Sequence, residues 1–144
     1  MNDRVLRATL VALSLAGAGV AAYVLMARWT DAGLLCSTGG CDTVQRSDYA
    51  ELLGVPVAAL GLAGYVLMGA AAAAPGLVAR TTVAALALGA AVFSAYLLIV
   101  QLVVIHAVCD WCLASDAISS LIAVVAFARL LQPDSGRAGL ISRI

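Results

Sequence analysis

Long runs of apolar residues, separated by short polar segments, dominate the chain. They cover residues 8–27, 52–79, 81–109 and 111–128, and a single carboxylate, Asp116, interrupts the last run. Each run can cross about 30 Å of hydrocarbon as an α-helix, which takes ~20 residues. The runs lack the apolar–polar alternation of barrel strands. The pattern therefore predicts an all-α integral membrane protein, a four-helix bundle with spans over about residues 8–27, 54–74, 81–108 and 110–130.

The polar segments determine the rest of the predicted organisation. The longest, residues 28–51, joins the first two spans, and we expect it to form an extracytoplasmic loop, with a short helix over residues 46–53. We expect residues 1–132 to form one transmembrane domain. Residues 133–144 contain proline, serine and glycine, which predicts a flexible cytoplasmic tail.

Composition agrees with a membrane protein and argues against other classes. Of the 144 residues, 64% are hydrophobic and 11% are charged, whereas roughly a quarter are charged in soluble domains. A soluble fold of this size leaves too much surface exposed to hide so many apolar residues. The formal net charge is zero, so we expect no nucleic-acid partner.

The placement of arginine predicts the orientation. Four crossings put both termini and the turn near residue 80 on one side, where six of the eight basic residues collect: Arg4, Arg7, Arg80, Arg129, Arg137 and Arg143. Basic residues concentrate on the cytoplasmic side of membrane proteins. We therefore expect both termini in the cytoplasm and the protein in the inner (plasma) membrane. Residues 28–51 and the turn near Cys109 then face the periplasm or the cell exterior.

The four cysteines form two pairs, and both pairs lie on the outward side of this topology. Cys36 and Cys41 enclose Ser-Thr-Gly-Gly, in which the glycines allow the loop to bend and move. Cys109 and Cys112 form a CxxC motif at the start of the last helix, where the positive end of the helix dipole favours a thiolate. Asp110, between these two cysteines, opposes that effect.

Three interpretations of the cysteines are open: a pair of structural disulfides, a four-cysteine zinc site, and a thiol relay between a mobile surface pair and a helix-anchored pair. A protein embedded in lipid has less need of disulfides than a small secreted domain. A zinc site at the bilayer edge would have only His106 nearby as a supporting histidine. We therefore favour the relay and expect no metal.

With these residues in view, the chain resembles the vitamin K epoxide reductase family in its bacterial form. The resemblance extends from the first span to the fourth, and the matching elements are Cys36, Cys41, Ser47, the stretch 53–57 (Leu-Gly-Val-Pro-Val), Gly61, Tyr65, Cys109 and Cys112. The DsbB family of disulfide-generating membrane proteins places its CxxC in the first outward loop. In this chain the CxxC comes second, which makes the resemblance specific.

The resemblance implies an enzyme that couples disulfide formation to quinone reduction. A thioredoxin-like (DsbA-like) extracytoplasmic partner, which we expect to act in trans, would reduce the Cys36–Cys41 disulfide through Cys36. Cys41 would then exchange with Cys109, and Cys112 would reduce a membrane quinone of the menaquinone, ubiquinone or vitamin K type. The family also implies that Ser47 caps the quinone pocket. The catalytic residues would be the four cysteines.

Asp116 is a further quinone-site candidate, beside Ser47 and Cys112. It follows Cys112 by one helical turn on the same face, and ionisable residues inside spans are costly and often functional. Quinone reduction consumes protons, so Asp116 is either a proton donor or a neutral acid bonded to a neighbouring helix. Animal members of the family commonly have tyrosine at this position. Tyr49, Tyr65 and Tyr96 are further candidates for contact with a quinone, and we expect Gln101 to form an interhelical hydrogen bond.

Two other functions stay open at this stage. One is a quinone or vitamin K epoxide reductase that is driven by a dithiol partner. The other is a non-enzymatic membrane protein with structural or zinc-binding cysteines. Loss of turnover after alkylation of the reduced protein would distinguish the enzyme from the scaffold, and metal analysis would reveal zinc.

Overall fold

The computed structural model describes residues 2–133, and this part of the chain is largely helical. Its helices are α1 (Asp3–Thr30), α2 (Cys41–Gln45), α3 (Val57–Ala73), α4 (Leu77–Ile99) and α5 (Asp110–Leu130). A 3-10 turn (Asp48–Ala50) and a hairpin of β1 (Glu51–Leu52) and β2 (Val55–Pro56) connect α2 to α3, and a π-helical segment (Val100–Ile105) extends α4. The predicted tail, apart from Pro133, lies outside the described residues.

The helices are those of a membrane protein. Between residues 2 and 133, three helical segments are long and apolar enough to cross a membrane: Asp3–Thr30, Leu77–Ile105 and Asp110–Leu130. The α3 helix is also apolar but has 17 residues, at the lower limit of the ~17–25 residues that a span requires. The predicted all-α class is therefore confirmed, and a fourth crossing stays a prediction.

The long helices pack through small and apolar residues. The α1 helix contacts α3 and α5, and α4 contacts α3 and α5. Leu10, Tyr65, Val83 and Ile122 contribute to a buried cluster that all four of these helices share. Gly17 is required in α1 because a Cβ there would lie 2.4 Å from the Tyr65 ring. This contact lets the Tyr65 ring lie directly on the α1 backbone.

The segment between α1 and α3 differs from the prediction. The short helix was expected over residues 46–53, whereas the structure has α2 at Cys41–Gln45 and a hairpin farther along. Ser47 adopts an extended backbone (φ −71°, ψ 157°), and Leu53 and Gly54 have positive φ angles of 53° and 81°. A right-handed helix cannot include such residues. The helix therefore carries Cys41 itself and ends before Ser47.

The helix ends opposite the cysteines are joined by an ion-pair cluster. Arg129 of α5 is fully buried, and its Nε donates to Asp3 Oδ1 of α1 at 3.0 Å. Its guanidinium also donates to the carbonyls of Ala72 and Ala74 at 3.3 and 3.1 Å, near the C-terminus of α3. Arg80 pairs with the same Asp3 oxygen at 3.3 Å. One side chain therefore satisfies groups on two other helices.

Arg129→Met is expected to lower the free energy of unfolding by about 2 kcal/mol, because it removes the buried partner of the partly exposed Asp3 and leaves the buried Ala72 carbonyl without its donor. Denaturant unfolding in detergent micelles would measure the change. Arg4→Met is the control, since Arg4 is exposed on α1, and its effect should stay within about 0.5 kcal/mol. Equal losses in the two variants would contradict the assigned role of Arg129.

Candidate active site

The two cysteine pairs have different oxidation states. Cys36 and Cys41 form a disulfide, whereas Cys109 and Cys112 are free thiols. Cys41 and Cys109 are 1% and 0% exposed and belong to one buried cluster, against which Cys36 and Cys112 pack. The prediction of a surface loop pair is therefore wrong for Cys41, because α2 places it under the loop. Cys36 is partly exposed.

The loop that carries Cys36 is held against the start of α5. The carboxylate of Asp110 accepts the backbone N–H groups of Ser37 and Thr38 at 2.6 and 3.3 Å. The Thr38 hydroxyl donates to the Val108 carbonyl at 2.7 Å. Gly40 permits this approach, since a Cβ there would lie 2.4 Å from the same carbonyl oxygen. These bonds bring the disulfide beside the CxxC.

Aromatic side chains fix the same loop from its other end. The Trp111 indole N–H donates to the Leu35 carbonyl at 2.7 Å, and the Leu35 N–H donates to the Tyr23 hydroxyl at 3.3 Å. The Tyr23 and Trp111 rings lie 4.6 Å apart. Trp111, which lies inside the CxxC, therefore holds the redox loop against the start of α5.

Asp110→Ala is expected to free this loop and to speed the reduction of the Cys36–Cys41 disulfide several-fold, because two backbone N–H groups lose a charged acceptor. Reduction by a small dithiol, quenched by alkylation and followed by mass spectrometry, would measure the rate. Asp110→Asn keeps one carbonyl acceptor and should lie between the wild type and the alanine variant. Identical rates in all three proteins would contradict the proposed contact.

The CxxC begins α5 as the sequence predicts. Cys109 is the N-cap residue, and its Sγ accepts the Cys112 backbone N–H at 3.4 Å. A hydrogen bond from the Cys112 thiol is the main cause that lowers the pKa of Cys109 to about 7, and the backbone N–H of Cys112 and the amide of Gln45 act in the same direction. The lowered pKa favours the nucleophilic thiolate of Cys109.

Glutamine side chains complete the surroundings of the CxxC. Gln101, in the π-helical segment, is 2% exposed, and its side-chain oxygen accepts the Cys109 backbone N–H at 3.0 Å. The predicted interhelical bond of Gln101 is thus a bond to the turn that leads into α5. The Nε2 of Gln45 donates to Cys112 Sγ at 3.4 Å and to Cys109 Sγ at 3.9 Å. Sequence reasoning missed Gln45, although it follows Cys41 at the helical i+4 spacing.

A cavity of about 470 Å³ opens beside Cys112. Its walls come mostly from apolar residues of α1, α3, α4 and α5, with polar side chains that include Gln45, Ser47, Cys112, Ser115 and Asp116. Tyr49 and Tyr65 line it as well, whereas Cys109 and Tyr96 are not among its walls. The Tyr65 hydroxyl donates to the Ser115 carbonyl at 2.9 Å. The CxxC thus has one cysteine toward the loop disulfide and the other toward the cavity.

Comparison with protein families identifies the family to which this chain belongs. The model of the vitamin K epoxide reductase family matches residues 8–127. The chain belongs to the vitamin K epoxide reductase family. No curated protein matches it. The match includes both cysteine pairs and the cavity-lining segments, so the family predicted from the cysteine order is confirmed.

Membership in the vitamin K epoxide reductase family indicates an oxidoreductase that works through disulfides, and this family is generally associated with quinones. A site for a flat, largely apolar ring with two carbonyl oxygens needs an apolar cavity with few polar groups. The cavity beside Cys112 has this character. Asp116 Oδ2 is buried and has no hydrogen-bond partner within residues 2–133, and a ligand commonly satisfies such an atom. The residues present therefore fit a quinone.

The family positions expected at the quinone site are arranged as follows. Ser47 and Asp116 both line the cavity with Cys112. The Ser47 hydroxyl donates to the Val44 carbonyl at 2.7 Å, so its hydrogen is already engaged. The backbone carbonyl of Asp116 accepts the hydroxyls of Ser119 and Ser120 at 3.0 and 2.8 Å. Within residues 2–133 no group of three or more His, Cys, Asp or Glu side chains could hold a metal ion.

Proposed function

We propose that this protein is a quinone-dependent thiol–disulfide oxidoreductase that supports disulfide bond formation outside the cytoplasm. The observation that carries the proposal is the order of the sulfur atoms. Cys41 and Cys109 share one buried cluster, and Cys112 lines the apolar cavity that Cys109 does not reach. Electrons that enter at Cys36 therefore have a continuous route to a ring in the cavity.

The proposal includes a topology. Residues 1–132 form a four-helix transmembrane bundle in the inner (plasma) membrane, with α3 as its short crossing and both termini in the cytoplasm. The described arginines Arg4, Arg7, Arg80 and Arg129 then lie at the cytoplasmic end, as the positive-inside rule requires. Both cysteine pairs face outward, where a thioredoxin-like partner reaches the partly exposed Cys36.

The first half of the reaction is thiol–disulfide exchange. A dithiol partner reduces the Cys36–Cys41 disulfide through a mixed disulfide with Cys36, supplies two electrons and two protons, and leaves oxidised. The Cys41 thiolate then attacks Cys109 of the oxidised CxxC, so that the Cys41–Cys109 bond forms and the Cys109–Cys112 bond breaks. Cys36 next attacks Cys41, which restores the loop disulfide and releases Cys109. The resulting thiol pattern is the one described above.

The second half takes place at the cavity. A quinone held in the cavity would supply the acceptor for two electrons and two protons. Cys112 lies at the cavity wall with Cys109 behind it, so the pair gives up its electrons by closing into a disulfide. Asp116 lies one turn farther along α5 and holds a proton at the cavity wall. The apolar walls exclude water from the exchange.

Quinone reduction by the purified protein in detergent, driven by a small dithiol, tests this function. The expected result is dithiol-dependent turnover with at least one of menaquinone, ubiquinone and vitamin K, and loss of turnover after alkylation of the reduced protein. No turnover with any of these quinones, from protein shown to be folded, would overturn the proposal. Zinc analysis of the same sample then addresses the scaffold alternative.

The family membership also favours a second candidate reaction, in which vitamin K epoxide replaces the quinone as the electron acceptor. The same cysteines would supply two electrons, and the cavity volume of about 470 Å³ does not discriminate between the two acceptors. Parallel assays with the epoxide and the quinone measure which one is turned over faster. Faster turnover of the epoxide would make the second reaction the main one.

A further inference from the structure

Gln45 is the polar side chain that bridges the two halves of the site. It lies one helical turn after Cys41, so both residues occupy one face of α2. Its amide nitrogen donates to two sulfur atoms at the start of α5, Cys112 Sγ at 3.4 Å and Cys109 Sγ at 3.9 Å. Gln45 also lines the cavity. A single side chain therefore contacts both sulfurs of the CxxC and the space in front of Cys112.

The position of Gln45 is fixed by its own backbone. The Arg28 guanidinium donates to the Gln45 carbonyl at 2.6 Å and pairs with Glu51. These bonds connect the end of α1, the end of α2 and the start of β1. Because the backbone is held, the amide needs little reorganisation to stay on the sulfur atoms, which is the condition for effective electrostatic stabilisation.

We propose that Gln45 is a catalytic residue of the relay, whose amide stabilises the Cys112 thiolate that leaves when Cys41 attacks the CxxC disulfide. This inference rests on the proposed function. In that step the Cys109–Cys112 bond breaks, the Cys41–Cys109 bond forms, and the departing electron pair stays on Cys112 Sγ, toward which the amide N–H points. A thiolate that is better stabilised leaves faster, and the reduced form of the pair is favoured as well.

Other groups around the CxxC contribute to its electrostatics and stay constant in a test of Gln45. Titratable and charged groups on the elements around the pair include Asp42 on α2, Asp110 and Asp116 on α5, Tyr65 on α3, Tyr23 and Arg28 on α1, Tyr49 after α2, and His106 before the CxxC. Asp110 bonds to the loop, and Arg28 bonds to the backbone of Gln45 rather than to sulfur. Gln45 itself is a neutral donor, so its removal changes no formal charge around the CxxC.

The test compares Gln45→Met with the wild type. Methionine keeps the length of the side chain and removes the donor. The pKa of the first CxxC thiol, measured from the ultraviolet absorbance of the thiolate while the loop disulfide is intact, is expected to rise by roughly one unit, because the Gln45 amide is one of the groups that lower it. The equilibrium constant for reduction of the CxxC should fall about tenfold, which corresponds to ~30 mV. Gln45→Glu should shift both quantities in the same direction.

Two variants of the same helix serve as controls. Thr43 is exposed on α2, and Thr43→Met should leave the pKa and the equilibrium constant unchanged. Val44 is buried in the cysteine cluster, and Val44→Ala loosens α2 without removing the amide. Equal shifts in Val44→Ala and Gln45→Met would assign the effect to packing and overturn the inference, as would an unshifted Gln45→Met.

The thiolate titration needs no quinone and no partner, so it separates this inference from the proposed function. If the wild type reduces quinone normally but Gln45→Met leaves the thiol pKa and the equilibrium constant unchanged, only the role of Gln45 is refuted. If Gln45→Met shifts the thiol pKa but the wild type reduces no quinone, the proposed function is refuted, and with it the catalytic role of the amide.

Discussion

Cys112→Ala is expected to lower dithiol-driven quinone reduction by at least about a thousandfold, because residues that act as one catalytic unit fail together when one is lost. Cys112 is the cysteine that lines the cavity, and without it the CxxC cannot form the disulfide that releases two electrons. Cys109 keeps its contact with the buried Cys41. Because the variant has no Cys109–Cys112 disulfide for Cys41 to attack, we expect Cys36 and Cys41 to stay reduced in the presence of the dithiol.

Turnover and disulfide mapping of the same sample measure the two effects together. Ser120→Ala is a matched control, because Ser120 lies on α5, is exposed, and donates only to the backbone of its own helix. Its turnover should equal that of the wild type. Residual quinone reduction by Cys112→Ala above a few per cent would show that electrons reach the ring by a route other than the CxxC.

The sequence is most informative where spacing along one helix determines geometry. A CxxC directly before an apolar run predicts a cysteine at a helix N-terminus, and Cys109 is indeed the N-cap of α5. The spacing of Cys112 and Asp116 predicts one helical face, and both side chains line the cavity. These predictions need only helix periodicity. The ends of the helices were predicted less accurately. The α4 helix begins at Leu77, before the predicted span, and its π-helical extension ends at His106, which has a left-handed backbone (φ 54°).

Contacts between distant segments could not be predicted in the same way. The sequence suggests that Asp110 only opposes a thiolate, whereas its carboxylate accepts backbone N–H groups of the redox loop. Arg129 looks like one more cytoplasmic charge, yet it is buried and joins α5 to α1 and α3. Each role depends on which segment lies opposite. Periodicity does not contain that information, because it describes one element at a time.

The glycines illustrate the same limit. Gly39 and Gly40 indicate a flexible loop from composition, but they have separate roles in the structure. Gly39 adopts a positive φ of 75° in the turn, and Gly40 permits the close approach to Val108. The loop is consequently bonded in place over the buried Cys41. Gln45 is a similar case, because its contact with α5 cannot be predicted from any local sequence pattern.

Asp116→Asn is expected to lower quinone turnover about a hundredfold, the lower end of what a positioned proton donor contributes. Asparagine has the same shape and still forms hydrogen bonds, but it carries no transferable proton. Asp116 Oδ2 is buried at the cavity wall with no partner among residues 2–133. The fall should appear in the step that follows reduction of the CxxC. Single-turnover mixing of pre-reduced protein with quinone would measure that step apart from thiol exchange.

The alternative role of Asp116 is a neutral acid that helps to hold α4 and α5 together, and the same variant distinguishes the two. Ser119 is 2% exposed, and its hydroxyl lies 2.9 Å from that of Ser94 on α4, so Ser119→Ala weakens the helix contact while leaving the carboxylic acid in place. A proton donor at Asp116 predicts a large loss of rate in Asp116→Asn and a small one in Ser119→Ala, with similar stability losses. Unchanged single-turnover rates in Asp116→Asn would exclude the donor role. Equal rate losses in the two variants would instead assign Asp116 to packing, because an effect on the proton alone requires the acid and not its neighbours.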